Sequence, residues 1–269
     1  MWICPHCGLG LQATQDGSSI ACANRHSFDR AREGYVNLLP ANRKRSPEPG
    51  DSREMVAARR RVHAANAYRP LADALVRELS ALPAAATVLD LGCGEGYYSS
   101  AVARAFPGCE LYGVDISRAA VRLAARACKT ASFAVASAYQ LPLPDASLDA
   151  IIRVFAPSDD AEVSRLLRCG GVYLEACPAP RHLWQVRAAL YDTPREHDPP
   201  RVEIAGLQLL RQQDVQYDLG ITGPALLADI IGMTPFAHRG HREKRERLRE
   251  VTLPAVTMAF SLQLYCPER

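Results

Sequence analysis

Val88-Leu-Asp-Leu-Gly-Cys-Gly-Glu-Gly-Tyr97 is a short apolar run that meets an acidic residue and then three glycines at alternate positions, Gly92, Gly94 and Gly96. It reads as a buried strand turning into a helix. Glycine at these places lets a ligand lie against the backbone and tolerates the left-handed angles of a tight turn. The G-x-G-x-G spacing departs from the G-x-G-x-x-G of nicotinamide enzymes, so the turn need not hold a pyrophosphate at a helix N-terminus. Asp115 follows at the distance expected for a carboxylate closing the next strand, where it can accept hydrogen bonds from ribose hydroxyls.

Working outward, the periodicity predicts an α/β chain. Glu110 to Ile116 is a second strand ending at Asp115, and Ser117 caps a helix through Cys128. Further strands fall at 131–137, 150–157 and 172–177, the last two separated by a helix through Arg168 and a Gly170-Gly171 turn. Alternating stretches from Leu207 to Tyr217 and from Val256 to Tyr265 supply the final two, with a helix from Pro224 to Ile231 between them. Ahead of the turn, Asp51 or Ser52 caps a helix running towards Tyr68, and Pro70 starts another up to Leu82.

The chain has 269 residues, 48% of them hydrophobic, enough for one substantial domain with a small appendage. A formal charge of +3 is too small to argue for nucleic acid, so that case rests on where the basic residues cluster. With no apolar run long enough for a bilayer and no leader, the sequence reads as soluble and cytoplasmic. Nine cysteines are an odd number for a disulfide framework; Cys93, Cys109, Cys128, Cys169 and Cys177 read as reduced, buried small hydrophobes.

The N-terminal cysteines differ. Cys4-Pro-His-Cys7, then Cys22-Ala-Asn-Arg-His26, gives C-x2-C and C-x3-H halves close to the knuckle spacing of structural zinc. Gly8, Gly10 and Asp16 to Ser19 can form the hairpin that joins the halves. Four protein ligands close the tetrahedron and leave no position for water, which implies structure rather than catalysis. A Cys4–Cys7 disulfide or a metal-free turn are the other readings, and His6 competes with His26 as ligand. Inside the C-x2-C turn, His6 should point away.

Behind the knuckle, Ala41-Asn-Arg-Lys-Arg-Ser-Pro-Glu-Pro-Gly-Asp51 reads as a basic linker, and Arg59-Arg60-Arg61 continues the positive charge. A zinc module beside such a stretch is the footprint of a protein that grips a phosphate backbone; a solvated helix face with a linker is the plainer reading. Phe28 and Tyr35 can stack on unpaired bases or serve as module core. Arg239 to Arg249, with glutamates interleaved, reads as a salt-bridged, solvated helix.

Leu-Asp-Leu-Gly-Cys-Gly-Glu-Gly resembles the first motif of class I S-adenosylmethionine-dependent methyltransferases. Cys4, Cys7, Cys22 and His26 combine with Glu-Gly-Tyr-Val-Asn-Leu-Leu-Pro, Lys-Arg-Ser, Pro-Gly-Asp and Leu-Gly-Cys-Gly-Glu-Gly-Tyr-Tyr. Over nearly the whole chain, this joint pattern resembles the RlmA family, bacterial 23S ribosomal RNA guanine-N1 methyltransferases. The resemblance implies a Rossmann-like seven-stranded sheet with a small N-terminal zinc-binding module. Residues 1–38 would recognise RNA, 39–69 form a basic linker and helix, and 70–269 form the methyltransferase domain.

It also implies site residues. Cofactor contacts would be Tyr68, Asp90, Gly92, Gly94, Glu95, Gly96, Tyr97, Asp115, Ser137, Ala138 and His182, with Phe155, Ala156 and Pro157 holding the target base. Substrate would be a hairpin loop of 23S rRNA, with Gly-Glu-Gly-Tyr-Tyr and Ile-Arg-Val-Phe-Ala-Pro favouring the nucleotide-745 branch over the 748 branch. Family members are dimers, so a homodimer is expected. The residues do not identify the acceptor of the guanine N1 proton. Two other classes stay open: a small-molecule methyltransferase, and a zinc- and cofactor-binding RNA module without catalysis.

Overall fold

The computed structural model describes residues 1–41, 50–234 and 252–268. The chain opens with three short strands, β1 (Gln12–Ala13), β2 (Ser19–Ala21) and β3 (Ser27–Asp29), paired antiparallel in that order. Thr14 to Ser18 makes the β1–β2 turn, where Asp16 accepts from the Thr14 and Ser18 hydroxyls at 2.7 and 2.6 Å. This is the expected hairpin, and it carries the two halves of the knuckle.

The next strand, β4 (Val36–Asn37), leaves that small sheet and joins the large one. Helices α1 (Arg53–Ala64) and α2 (Arg69–Glu78) follow. Ser52 caps α1 by accepting from the Met55 amide at 3.2 Å, as its position before a helical run predicts. The glycine stretch then forms β5 (Thr87–Leu91) and α3 (Tyr97–Ala105); β6 (Glu110–Asp115), α4 (Arg118–Ala127) and β7 (Ser132–Val135) come next. The chain continues through β8 (Leu148–Val154), α5 (Asp160–Leu166), β9 (Leu167–Pro178), α6 (Trp184–Leu190), β10 (Leu207–Gly220), α7 (Pro224–Gly232) and β11 (Ala255–Pro267).

The large sheet runs β10-β11-β9-β8-β5-β6-β7-β4. Strands β4 to β9 are parallel, while β11 is antiparallel to both β9 and β10. Seven strands make the expected Rossmann-like sheet. The eighth, β4, extends it from the N-terminal segment, pairing Val36 with Ala134 and Asn37 with Val135. All seven residues of β8 are buried, as a central parallel strand covered on both faces requires. The strand order reverses between β5 and β8, and it is outside the carboxyl ends of such strands that open α/β sheets bind ligands.

Trp2, Ile20, Val36 and Leu38 pack into one core with Leu89, Leu91 and Tyr112 of the sheet. Trp2 meets Tyr112 edge to face at 5.2 Å. The knuckle is thus fastened to the sheet by shared apolar burial, worth about 1.5–3 kcal/mol for each large side chain. The Ile3 amide adds a bond to the Pro142 carbonyl at 3.0 Å.

Several local expectations need correction. Gly170-Gly171 is not a turn before the fifth strand but part of β9, and α5 stops at Leu166 rather than running through Arg168. A side chain at Gly171 would meet the Leu148 and Arg168 carbonyls at 2.9 and 3.0 Å, so the pair lets β9 cross the shifted register beside β8. Cys169 is exposed, and Cys109 and Cys177 are only half-buried. Tyr35 is buried, with its hydroxyl accepting from Arg118 at 3.1 Å, and is therefore core rather than a stacking surface. The Arg239 to Arg249 stretch and most of the basic linker lie outside the described residues. Among the described residues, no helix is long and apolar enough to cross a membrane.

Candidate active site

At the knuckle, the ligand atoms of Cys4, Cys7, Cys22 and His26 lie within 4.8 Å of one another. Cys7 and Cys22 sulfurs are 3.7 Å apart, and His26 Nδ1 is 3.5 Å from both Cys4 and Cys22 sulfurs. A zinc tetrahedron with Zn–S of about 2.3 Å and Zn–N of about 2.0–2.1 Å has edges of about 3.8 Å between sulfurs and about 3.5 Å from sulfur to nitrogen. The donor set therefore fits a closed structural zinc site. His6 stays outside it, stacked on Phe28 at 5.9 Å.

The second centre is a cavity of about 610 Å³ at the carboxyl edge of the sheet. Its floor is the glycine turn. Gly92 and Gly94 hold positive φ of 78° and 54°, and a Cβ on Gly92 would stand 2.2 Å from the Cβ of Ala156. Asp115 anchors this floor by accepting from the Gly94 amide at 3.0 Å and the Ser117 amide at 2.8 Å. Burial raises its pKa, and those two amides oppose the rise. Each carboxylate oxygen retains a second lone pair for a ligand hydroxyl.

Most of the expected cofactor residues line this cavity: Tyr68, Gly92, Gly94, Glu95, Tyr97, Asp115, Ser137, Ala138 and His182 do so. Asp90 and Gly96 do not. Asp90 is 1% exposed and accepts the Ser99 hydroxyl at 2.5 Å, so it ties β5 to α3 behind the floor. Burial raises its pKa to about 7, against the Ser99 hydrogen bond. A Cβ on Gly96 would stand 2.9 Å from Ala124 Cα, so the third glycine admits the close approach of α4 rather than a ligand. Both were read from the motif as cofactor contacts because sequence cannot say which side of the turn a residue faces.

One wall was missed altogether. Asp51, Met55, Arg59 and His63 line the cavity from the start and inner face of α1. Their four-residue spacing is one helix face, a signal that was present in the sequence. Arg59 pairs with Asp51, so this arginine is turned inward instead of towards a phosphate backbone, and Arg61 is held by Asp229 at 2.6 Å. His63 is buried, stacks on Tyr97 at 4.0 Å and pairs through Nδ1 with Glu95. Burial would raise the Glu95 pKa, but the His63 contact outweighs it and holds the carboxyl below its ordinary value. The Tyr98 hydroxyl is buried with no partner among the described residues, and Tyr98 lines the same cavity.

These features fit S-adenosylmethionine. Asp115 keeps acceptor capacity that would suit the hydroxyls of a ribose, and the glycine floor leaves room for a ligand against the backbone. Phe155, Ala156 and Pro157, the residues expected to hold the target base, line the same cavity. Phe155 is 42% exposed at φ 57°, so it is not ordinary core packing. Its ring lies 6.3 Å from those of Tyr68 and His182. Tyr139, unforeseen from sequence, lines the rim at 57% exposure.

A second cleft of about 280 Å³ separates this centre from the knuckle, lined by Ile3 to His6, Leu38 to Pro40 and Gln140 to Pro142. Ser137 lines both spaces.

Comparison with known proteins agrees with this geometry. Residues 2–47 match the family model for the RlmA N-terminal zinc ribbon, and 88–171 match a methyltransferase domain. A 23S rRNA (guanine(748)-N(1))-methyltransferase of Streptomyces fradiae is 38% identical over 191 residues, 70% of this chain and 66% of that one. A Micromonospora griseorubida protein, named provisionally as a 23S rRNA (guanine-N(1)-)-methyltransferase, is 33% identical over 98% of this chain and 96% of its own. In fold, the solved structure of a provisionally assigned methyltransferase from Anabaena variabilis aligns with a TM-score of 0.52 and 18% identity, covering 73% of this chain and 96% of that one. On zinc ribbon, methyltransferase domain and a relative matched almost end to end, this chain belongs to the RlmA-type family of 23S rRNA (guanine-N1-)-methyltransferases.

Proposed function

We propose that this protein transfers a methyl group from S-adenosylmethionine to N1 of a guanine in a hairpin loop of 23S rRNA. The observation that carries the reading is the exposed Phe155, held at the edge of a glycine-floored cavity beside a knuckle fastened to the same sheet. S-adenosylmethionine, when bound, supplies an electrophilic methyl on a sulfonium. Gly92 and Gly94 give it room against the backbone, and Asp115 accepts from its ribose. Ser137 and Ala138 border the adenine. Tyr68, Glu95 and Tyr97 close the opposite wall. Phe155 offers a face on which an unpaired or extruded guanine stacks, offsetting the few kcal/mol of unstacking. In-line positioning is the main source of acceleration. Cys4, Cys7, Cys22 and His26 hold a structural zinc that shapes the 1–38 module for RNA recognition, ahead of the 39–69 segment and the methyltransferase domain.

The test is incubation with labelled S-adenosylmethionine and unmodified 23S rRNA, followed by primer extension. A stop at a single guanine is the expected result, and label in small-molecule extracts but none in RNA would overturn it. A stop at nucleotide 745 sustains the motif reading; one at 748 aligns the chain with its Streptomyces relative. The reading includes a cytoplasmic homodimer whose two modules frame one RNA cleft, and sedimentation showing a monomer would remove that part of it.

A further inference from the structure

Phe155 stands just past β8 at a φ of 57°, a left-handed angle that is costly for a residue with a Cβ and persists only where its surroundings over-determine it. Successive strand side chains point to opposite faces, so an extended Phe155 would share the face of Arg153. It does not. Arg153 lies with Tyr173, its guanidinium 5.6 Å from that ring, whereas the Phe155 ring sits 5.7 Å from Phe260 and 6.3 Å from Tyr68. Phe260 and Tyr68 belong to the core that takes Val154; Tyr173 belongs to the other. The left-handed residue is where the chain changes face and turns an aromatic ring to the cavity.

What over-determines this angle is a clamp behind the loop. On the ladder side, the Phe155 amide donates to the Ala176 carbonyl at 3.1 Å. Ala156 then packs so close to Gly92 that a Cβ on the glycine would stand 2.2 Å from its own. Arg153 reaches five residues forward to close the loop: Nη1 donates to the Ser158 hydroxyl oxygen, and Nη2 to Glu175, the residue opposite it on β9. Glu175 also accepts from the Tyr173 hydroxyl at 3.2 Å. Arg153 is only 8% exposed, and Arg153, Ser158 and Glu175 all lie outside the cavity lining. A planar guanidinium fork serves two acceptors at fixed angles, which a lysine ammonium does not.

Resting on the proposed stacking of guanine on Phe155, we propose that Arg153 is a positioning residue for methyl transfer: through Ser158 it closes the 153–158 loop and holds the Phe155 ring towards the cavity. It touches neither base nor cofactor. Glu175 and Tyr173 set the guanidinium, the guanidinium sets Ser158, and the closed loop leaves Phe155 one conformation. A base stacked on a ring of fixed orientation presents N1 to the methyl group along one line, and in-line attack depends on that alignment.

Ser158, which is half-buried, allows the clamp to be opened without stranding a buried charge. Ser158→Ala removes the tether and leaves the Arg153–Glu175 pair, while Ser158→Thr keeps the hydroxyl. On 23S rRNA, kcat for Ser158→Ala should fall about tenfold, with calorimetric cofactor affinity within about twofold of wild type. Ser158→Thr should recover to within about threefold of wild type. In a Phe155→Ala background, adding Ser158→Ala should cost less than about twofold more, because the ring it positions is gone. A para-fluorophenylalanine at position 155 supplies a readout without turnover: a single fluorine resonance with Ser158 present, and a broadened or second one in Ser158→Ala.

No loss in Ser158→Ala, an equal fold-loss in both backgrounds, a loss carried by cofactor affinity, or an unchanged fluorine resonance would each overturn the positioning role. A wild-type protein that leaves the guanine unmethylated, or a Phe155→Ala variant as active as wild type, overturns the parent reading instead. The fluorine spectra then still decide whether the clamp holds Phe155.

Discussion

The knuckle and the cofactor cavity meet at residues 137–142 but are assembled in opposite ways. All four candidate zinc ligands come from 23 consecutive positions, Cys4 to His26, and their spacing alone brings them within 4.8 Å. The cavity draws its walls from positions between Gly50 and Thr234, brought together by sheet order. A site made by local spacing survives or fails with its own ligands. One made by topology depends on backbone far from any ligand.

The largest effect should therefore come from the cavity floor. Gly92→Val places a side chain where even a Cβ stands 2.2 Å from Ala156, at a φ of 78°. Cofactor affinity measured by calorimetry should fall more than about 100-fold, combining steric exclusion with backbone strain. Gly94→Ala, where among the described residues the nearest atom to a Cβ is in the flexible Arg59 guanidinium at 3.6 Å, should cost less. If the two substitutions act alike, the close approach at Gly92 is not what shapes the floor.

Next comes the knuckle. Cys4→Ser with Cys7→Ser should abolish bound zinc and severely weaken RNA methylation while cofactor affinity is largely retained. Because Trp2, Val36 and Leu38 share a core with the sheet, the whole chain should melt in one transition about 5–10 °C lower. Two separate transitions would show that the module is energetically independent.

Asp90 provides a third, pH-dependent contrast. Its pKa is raised by burial to about 7 from an ordinary 3.8, so between those values the folded state binds more protons than the unfolded. Its contribution is complete below about pH 4 and is lost as pH rises through about 7. The melting temperature of wild type relative to Asp90→Asn should fall across that window, and a difference that grows instead would reverse the assignment. The smallest effect belongs to the rim: Tyr139→Ala should reduce RNA methylation about tenfold through lost stacking, with cofactor affinity unchanged.

Legibility followed the same division. The knuckle ligands, the Ser52 and Ser117 caps, Asp115 at a strand end and Phe155 at the next edge were all readable, because short-range rules govern each. His63, Tyr98 and Arg59 were not assigned to the cavity, since nothing local shows which helix crosses its mouth. Asp90 and Gly96 were assigned to the wrong side of the turn for the same reason.

By itself, then, the sequence determined the glycine turn, the candidate metal ligands, the strand and helix order and the family. Alternation, capping and ligand spacing act over a few residues and are written in consecutive positions. Tertiary structure alone decided that β4 would extend the sheet and that α1 would wall the cavity with Arg59 and His63. It also turned His182 Nδ1 to the Ala259 amide, 77 residues away. Contacts of that range are selected by packing the whole core, and no local motif specifies them.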